Sequence, residues 1–351
     1  MKYHHALLSA SCIGAAVAQY ADHANTAIKT LQDRYNGETG LWKGAATDLW
    51  WQSGNIVEML ARFGQIDASF KQTASDILAS TYSKGANRQG ANNWLNDYYD
   101  DEGWWALGWI AAYDLTGNVN YLNTAIHIFE DMTGGWTTPC NGGIWWNKPK
   151  GSISAISNEL FLSTAAHLAN RVGADQKEEY LNWAKMEWDW FWQSGIINGD
   201  SLVNDGIDKS TCKNDGKTPF TYNQGPVLSG LSELAKATSD GGYIAHAKAI
   251  ASATITKLTK DGILTEPVGD GGLDEQGSMF KGAFIRGLAS LHSNEPEQQY
   301  ADFFKKNADS VWANAKNADG VFQDKWQGGS STANTASHAS GIDVLVAAAA
   351  A

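Results

Sequence analysis

The chain has 351 residues, including 16 Trp and 36 Gly, and only 18% of its side chains are charged, so it can bury a large aromatic core. A formal net charge of −12 without a basic cluster excludes nucleic acid and anionic membranes as partners. No apolar run reaches bilayer length, which leaves a soluble chain as the expectation.

In chain order, the first predicted element is a secretory leader over residues 1–18. Lys2 gives the positive start, Ala6 to Val17 the apolar run, and Ala16-Val17-Ala18 the small-x-small cleavage pattern. The mature chain is expected to begin at Gln19, to be secreted, and to form one domain over 19–351. The apolar C-terminal stretch Val344–Ala351 lacks the spacer and long tail of a glycolipid anchor signal, so no anchor is expected. Cys12 falls in the leader. Cys140 and Cys212 remain, an even pair in an oxidising compartment, and a disulfide between them is predicted.

The rest of the chain alternates two kinds of helix. Amphipathic, charged helices are predicted near 22–35, 67–82, 118–133, 176–194, 241–260 and 297–315. Between them lie charge-poor helices near 50–63, 102–115, 156–171, 225–237, 278–291 and 337–350, apolar nearly all round and therefore buried. The buried set recurs every ~50–70 residues, which implies an array of helical hairpins. Six hairpins close naturally into an all-α toroid, the (α/α)6 barrel. An open superhelix is the alternative. In a toroid, the loops that lead into the six inner helices share one rim and enclose one cleft.

The second of these loops carries Asn-Asp-Tyr-Tyr-Asp-Asp-Glu-Gly-Trp-Trp (96–105). An isolated Asp before a helix is explained by capping. Two adjacent carboxylates, Asp100 and Asp101, among Tyr98, Tyr99, Trp104 and Trp105 point further. Aromatic faces bind sugar rings, and paired carboxylates cleave glycosidic bonds. Trp50-Trp51 and Trp145-Trp146 are adjacent indoles at loop positions, and in each pair one ring is expected to pack inward while the other faces the cleft. Gln224, Glu275, Gln276 and His338 precede or open later inner helices, where they serve either as caps or as partners for sugar hydroxyls.

Other chemistries find less support. The His residues are scattered, without His-Glu-x-x-His, so no metal site is expected. The acid-rich segment 205–216 does not fit calcium-loop spacing and reads as a solvated loop tied down by Cys212. Gly-x-Ser-x-Gly is absent, and Ser-x-x-Lys at Ser210–Lys213 and Ser278–Lys281 lacks its partner motifs. A lyase would need cationic help at an acidic sugar, and these loops carry few Arg or Lys.

The stretches Asn96–Trp109, Gly142–Trp146 with Ser157–Leu160, and Thr221–Gly230 resemble glycoside hydrolase family 76, the endo-α-1,6-mannanases of fungi and bacteria. The resemblance covers nearly all of 20–345. It implies an (α/α)6 barrel and a retaining hydrolase of α-1,6-mannan without metal or organic cofactor. It also implies Asp100 as nucleophile and Asp101 as acid/base. Trp50, Tyr98, Tyr99 and Trp104 are then expected to bind substrate with Trp145, Tyr222 and Gln224, with Tyr99 and Trp50 facing sugar ahead of Trp105. Partners are α-1,6-mannan or manno-oligosaccharides, and the chain is expected to be a monomer. Transglycosylation at the same two residues, or mannan binding without catalysis, are the alternatives.

Overall fold

The computed structural model describes residues 2–269 and 273–351, with side chains from residue 17 onward. The leader expected over 1–18 falls almost entirely outside the described side chains. Among the described residues twelve α-helices alternate between an outer and an inner ring. The outer ring is α1 (Lys2–Gln32), α3 (Lys71–Gly85), α5 (Val119–Thr133), α7 (Ala174–Gln193), α9 (Gly241–Lys257) and α11 (Gln298–Asn314). The inner ring is α2 (Trp51–Ile66), α4 (Tyr99–Thr116), α6 (Ala155–Ala169), α8 (Pro226–Thr238), α10 (Phe280–Asn294) and α12 (Thr335–Ala350).

Composition decides the ring. All 15 residues of α6 are buried, with Ser, Ala and Thr letting neighbours approach on every side. By contrast α11 buries a stripe, Tyr300, Phe303, Phe304, Asn307 and Val311, at helical spacing. Each inner helix packs on the next, and α12 packs on α2, so the ring is closed rather than open. Small residues set these distances. A side chain on Gly287 of α10 would collide with the backbone of Gly225 ahead of α8. Gly117 ends α4 in the left-handed region (φ +72°), a conformation glycine adopts without steric cost. Among the described residues strands occur only as two- and three-residue ladders in loops. The largest pairs Ile153–Ser154 with Gly206–Asp208, and Gly206–Asp208 with Lys213–Asn214. Cys140 and Cys212 form the disulfide and tie this ladder to the loop after α5.

Six inner helices run parallel, so their N-termini share one rim and their C-termini the other. The C-terminal end is charged and paired. Arg286 is buried between Glu58 (2.9 Å) and Asp343 (2.6 Å), and also donates to Asn55 Oδ1. Arg62 bonds Glu58 at 2.8 Å. Arg171 spans Asp114 (2.7 Å) and Glu233 (3.0 Å). Cations at this end complement the negative poles of the helix dipoles as well as the carboxylates.

Candidate active site

The N-terminal rim encloses a cleft of about 540 Å³. Its floor is set by the first turn of α4, where Asp100, Asp101 and Glu102 follow an extended Tyr98 that caps nothing with its side chain. The free N–H groups of that turn attract carboxylates, which is why the acids sit there. The loop after α5 runs antiparallel to the approach to α4. Tyr99 N–H donates to the Trp146 carbonyl (3.0 Å) and Lys148 N–H to the Asp97 carbonyl (2.9 Å). That pairing delivers Trp146, whose indole N–H donates to Asp100 Oδ2 at 3.0 Å.

Asn96 orients the second acid. Its side-chain amide donates to Asp101 Oδ2 at 2.7 Å, its carbonyl oxygen accepts from Tyr98 N–H (2.9 Å), and its own N–H donates to Glu102 Oε1 (2.9 Å). Glu102 is sealed and paired with Lys148 (2.9 Å), which also holds Asp131 (2.9 Å). Asp100 and Asp101 have no such cation. Both residues are half-buried against the cleft, and Asp100 Oδ1 is itself sealed without a hydrogen-bond partner. Burial therefore pushes both above the usual carboxylate range. Trp146 and the backbone N–H groups of Asp100 and Asp101 draw Asp100 part of the way back. The charge of Asp100 drives Asp101 higher still, with only Asn96 opposing. Asp101 is thus the member that keeps its proton longer.

Aromatic pairs line the cleft. Trp51 stacks on Trp104 (5.8 Å between centroids), Tyr98 leans on Trp146 (4.9 Å), and Tyr222 lies parallel to Phe280 (4.0 Å). Gln276 accepts from the Trp51 indole N–H and from Gln52 (3.1 Å). Ser152, Ser154 and Asp205 add polar groups, and no Lys or Arg is among the described lining residues.

Of the residues expected to touch substrate, Tyr98 (38% exposed), Trp104 and Tyr222 line this cleft with the two Asp. Four do not. Trp50 is 8% exposed and packs against Trp94 and Trp105, because the residue before α2 turns its ring into the α2–α4 contact and leaves the cleft to Trp51. Tyr99 is rotated about 100° around α4 from Asp100 and is buried beside Gly135 and Lys148. Trp145 is buried and donates to Thr137 Oγ1 (3.2 Å); in extended backbone its neighbour Trp146 points the other way. Gln224 is fully buried, accepts from Val203 N–H (2.8 Å) and donates to the carbonyls of Val203 (2.8 Å) and Phe220 (3.0 Å), so its amide is spent on the fold. His338 likewise bonds Ala27 and Phe322 in the core.

Sequence reasoning chose Trp50 and Trp145, whereas their neighbours Trp51 and Trp146 face the cleft, and it left Asp205, Phe280, Ser152 and Ser154 out of the site. No group of three or more His, Cys, Asp or Glu that could hold a metal ion occurs among the described residues.

The chain matches the glycosyl hydrolase family 76 profile over residues 19–350. A mannan endo-1,6-α-mannosidase of Candida albicans is 26% identical over 226 residues, 59% of this chain and 48% of that protein. One from Saccharomyces cerevisiae is 25% identical over 300 residues, 79% of this chain and 64% of that protein. This chain spans about half the length of the first of these relatives. Among solved structures, an α-1,6-mannanase of Salegentibacter sp. HEL1_6 superposes with a TM-score of 0.81 at 23% identity, covering 94% of this chain and 99% of that one. That protein is described as an inactive variant carrying two adjacent Asp replacements, in complex with α-1,6-mannotetrose. Dfg5 from Chaetomium thermophilum, bound to glucosamine, superposes at 0.81 with 19% identity, 95% of this chain and 90% of that one. The profile match spans nearly the whole barrel and includes the cleft with its Asp pair, and the chain belongs to glycosyl hydrolase family 76.

Proposed function

We propose that this chain is a retaining endo-α-1,6-mannanase, with Asp100 as nucleophile and Asp101 as acid/base. The observation that carries it is a pair of adjacent carboxylates, without a cation partner, on the floor of an aromatic cleft. The mannan endo-1,6-α-mannosidase names of the relatives, and the paired Asp replacements in the inactive Salegentibacter enzyme, support the same reading.

In the first step Asp100 Oδ attacks C1 of an α-mannosyl unit while Asp101 gives its proton to the departing O6. The C1–O6 bond breaks, and a β-linked glycosyl ester forms on Asp100. In the second step Asp101, now ionised, takes a proton from water. The water oxygen attacks C1, the ester bond breaks, and the sugar leaves in its original α configuration. The Trp146 N–H and the first-turn N–H groups of α4 suit an ionised Asp100, and the steeper rise at Asp101 suits a proton donor. Trp51 and Tyr98 supply faces on which sugar rings stack, with Trp104 backing Trp51.

The test is product analysis on linear α-1,6-mannan. Short manno-oligosaccharides from the unaltered protein, absent with Asp100→Asn and with Asp101→Asn, are expected. No cleavage by well-folded protein would sink the hydrolase reading, and longer products with an added acceptor sugar would replace it with transglycosylation. The chain is also read as secreted, from the leader pattern of residues 1–18. A mature N-terminus at Gln19 in the culture medium is expected, and retention in the cell with Met1 intact would contradict it.

A further inference from the structure

The acid-rich segment 205–216, expected from sequence to be a solvated loop, does more than that in the fold. Asp208 caps its own turn, accepting from Ser210 and Thr211 N–H (both 2.9 Å). Asp205 goes into the cleft. Its backbone carbonyl accepts from Ala155 N–H (2.8 Å), which fixes it to the start of α6, and the ladder of Gly206–Asp208 holds it from the other side. The Cys140–Cys212 disulfide ties the same loop to the segment that carries Trp146. A carboxylate held by so many constraints is not a mobile surface acid.

Its hydrogen bonding is lopsided. Tyr222 OH and Asn223 Nδ2 both donate to Oδ1, each at a long 3.3 Å. No donor among the described residues reaches Oδ2, and that oxygen is not sealed from the cleft. No Lys or Arg is among the described lining residues, and Lys217, the nearby cation, is paired with Asp215 (3.1 Å). The sequence thus places a third carboxylate beside the doublet, on the wall between the starts of α6 and α8, with an acceptor in want of a donor. In a sugar site the donors on offer are hydroxyls. A carboxylate has about four lone-pair positions, enough to take both hydrogens of a vicinal cis diol. Mannose carries such a diol at C2 and C3, where the C2 hydroxyl is axial. Glucose, its C2 epimer, does not.

We infer that Asp205 is the specificity-determining residue of this cleft, its open oxygen accepting from the C2–C3 diol of a bound mannosyl unit. This rests on the reading of the cleft as a mannan site. Tyr222, packed on Phe280, then has a double role as wall and as the clamp that turns Oδ2 toward the sugar. A site built to bond a hydroxyl rejects an analogue that lacks it, because the buried acceptor is left unpaired.

The experiment is calorimetric binding of α-1,6-mannotriose and of its α-1,6-gluco counterpart to the Asp100→Asn/Asp101→Asn protein, with and without Asp205→Asn. Asp205→Asn is expected to weaken mannotriose binding at least about tenfold and to collapse the manno-over-gluco preference. A purely structural role would weaken both sugars alike. Binding by the parent with an unchanged preference after Asp205→Asn overturns the inference alone. No mannotriose binding by the parent overturns the mannan reading and the inference with it. Should Asp205→Asn not fold, 2-deoxy and 3-deoxy mannotriosides on the Asp100→Asn/Asp101→Asn parent decide the matter. A loss of about tenfold or more for either supports the inference, and affinities equal to mannotriose for both overturn it.

Discussion

The two ends of the barrel treat the same side chain in opposite ways. At the C-terminal end Glu58 and Glu233 are buried, and burial alone would raise them. Arg62 and Arg286 outweigh that at Glu58, and His167 and Arg171 bring Glu233 down to about 2. Burial holds His167 itself at about 4, so at neutral pH the ring is uncharged and Arg171 carries the pairing. At the N-terminal rim burial pushes Asp100, Asp101 and Asp205 up, and no Lys or Arg among the described lining residues offsets it. Glu58 and Glu233 are held below the usual range by their cations, although at Asp343 burial outweighs Arg286 and raises the carboxyl to about 7. The carboxylates poised for chemistry are left to helix N-termini, indole and amide N–H groups, which steer a proton without cancelling the charge.

The comparison breaks first, and most visibly, at the doublet. Asp100→Asn or Asp101→Asn should cost about 10³–10⁴-fold in turnover of linear α-1,6-mannan, measured by reducing-end release. The same changes should stabilise the fold above the ordinary carboxylate range. A raised folded-state pKa costs nothing in acid, costs progressively more as pH rises from the ordinary carboxylate range to the folded value, and holds that full cost above it. Thermal unfolding at pH 8 and at pH 4 tests the sign: the gain should appear at pH 8 and vanish at pH 4. A loss of stability at pH 8 would show that the doublet is structural after all.

At the other end the signs invert. Arg171→Met strips Glu233 of its closest cation, leaving Asn170 and the more distant Lys236 and His167, and should destabilise by about 3 kcal/mol in denaturant titration, with the turnover of the folded fraction unchanged. In the parent, Glu58 and Glu233 are depressed, so their stabilisation is present above the ordinary carboxylate range and is lost as pH falls toward the folded values.

The disulfide belongs to both ends of the argument. It closes a separation of 72 residues, and Cys140→Ser/Cys212→Ser should lower stability by about 4 kcal/mol in the chain-entropy model, less if the unfolded chain keeps structure. Because it links the segments that carry Trp146 and Asp205, KM should rise as well, at temperatures where the variant is fully folded. The smallest effects separate the members of a Trp pair. Trp51→Ala should weaken mannotriose binding by about 1–2 kcal/mol with little change in melting temperature. Trp50→Phe should do the reverse. Equal effects at both positions would undo the assignment of the cleft-facing ring.

Which of these features could be read from the sequence follows from what each depends on. The rings of helices were legible because burial all round removes charge, and Asp100-Asp101 was legible because a doublet among aromatics has no sufficient structural excuse. The choice within Trp50-Trp51 and Trp145-Trp146 was not, since it depends on the turn before α2 and on the extended pairing of 146–148 with 97–99. Gln224 and Gln276 looked alike as polar residues ahead of inner helices. Only the backbone of Val203, brought close by a loop 21 residues away in sequence, spends the first on the fold and leaves the second to the cleft. Asp205 lay in an acid-rich loop whose local pattern suggested solvent. Its position depends on a ladder and a disulfide closed over long separations.

The most direct measurement is the proton NMR time course of α-1,6-mannotetraose cleavage, read at the new reducing end before mutarotation. A cationless, adjacent pair acting by double displacement releases the α anomer first, and that signal should decline only as the β form grows in. Release of the β anomer first would contradict a nucleophilic Asp100 and require water to attack directly from the opposite face of the sugar.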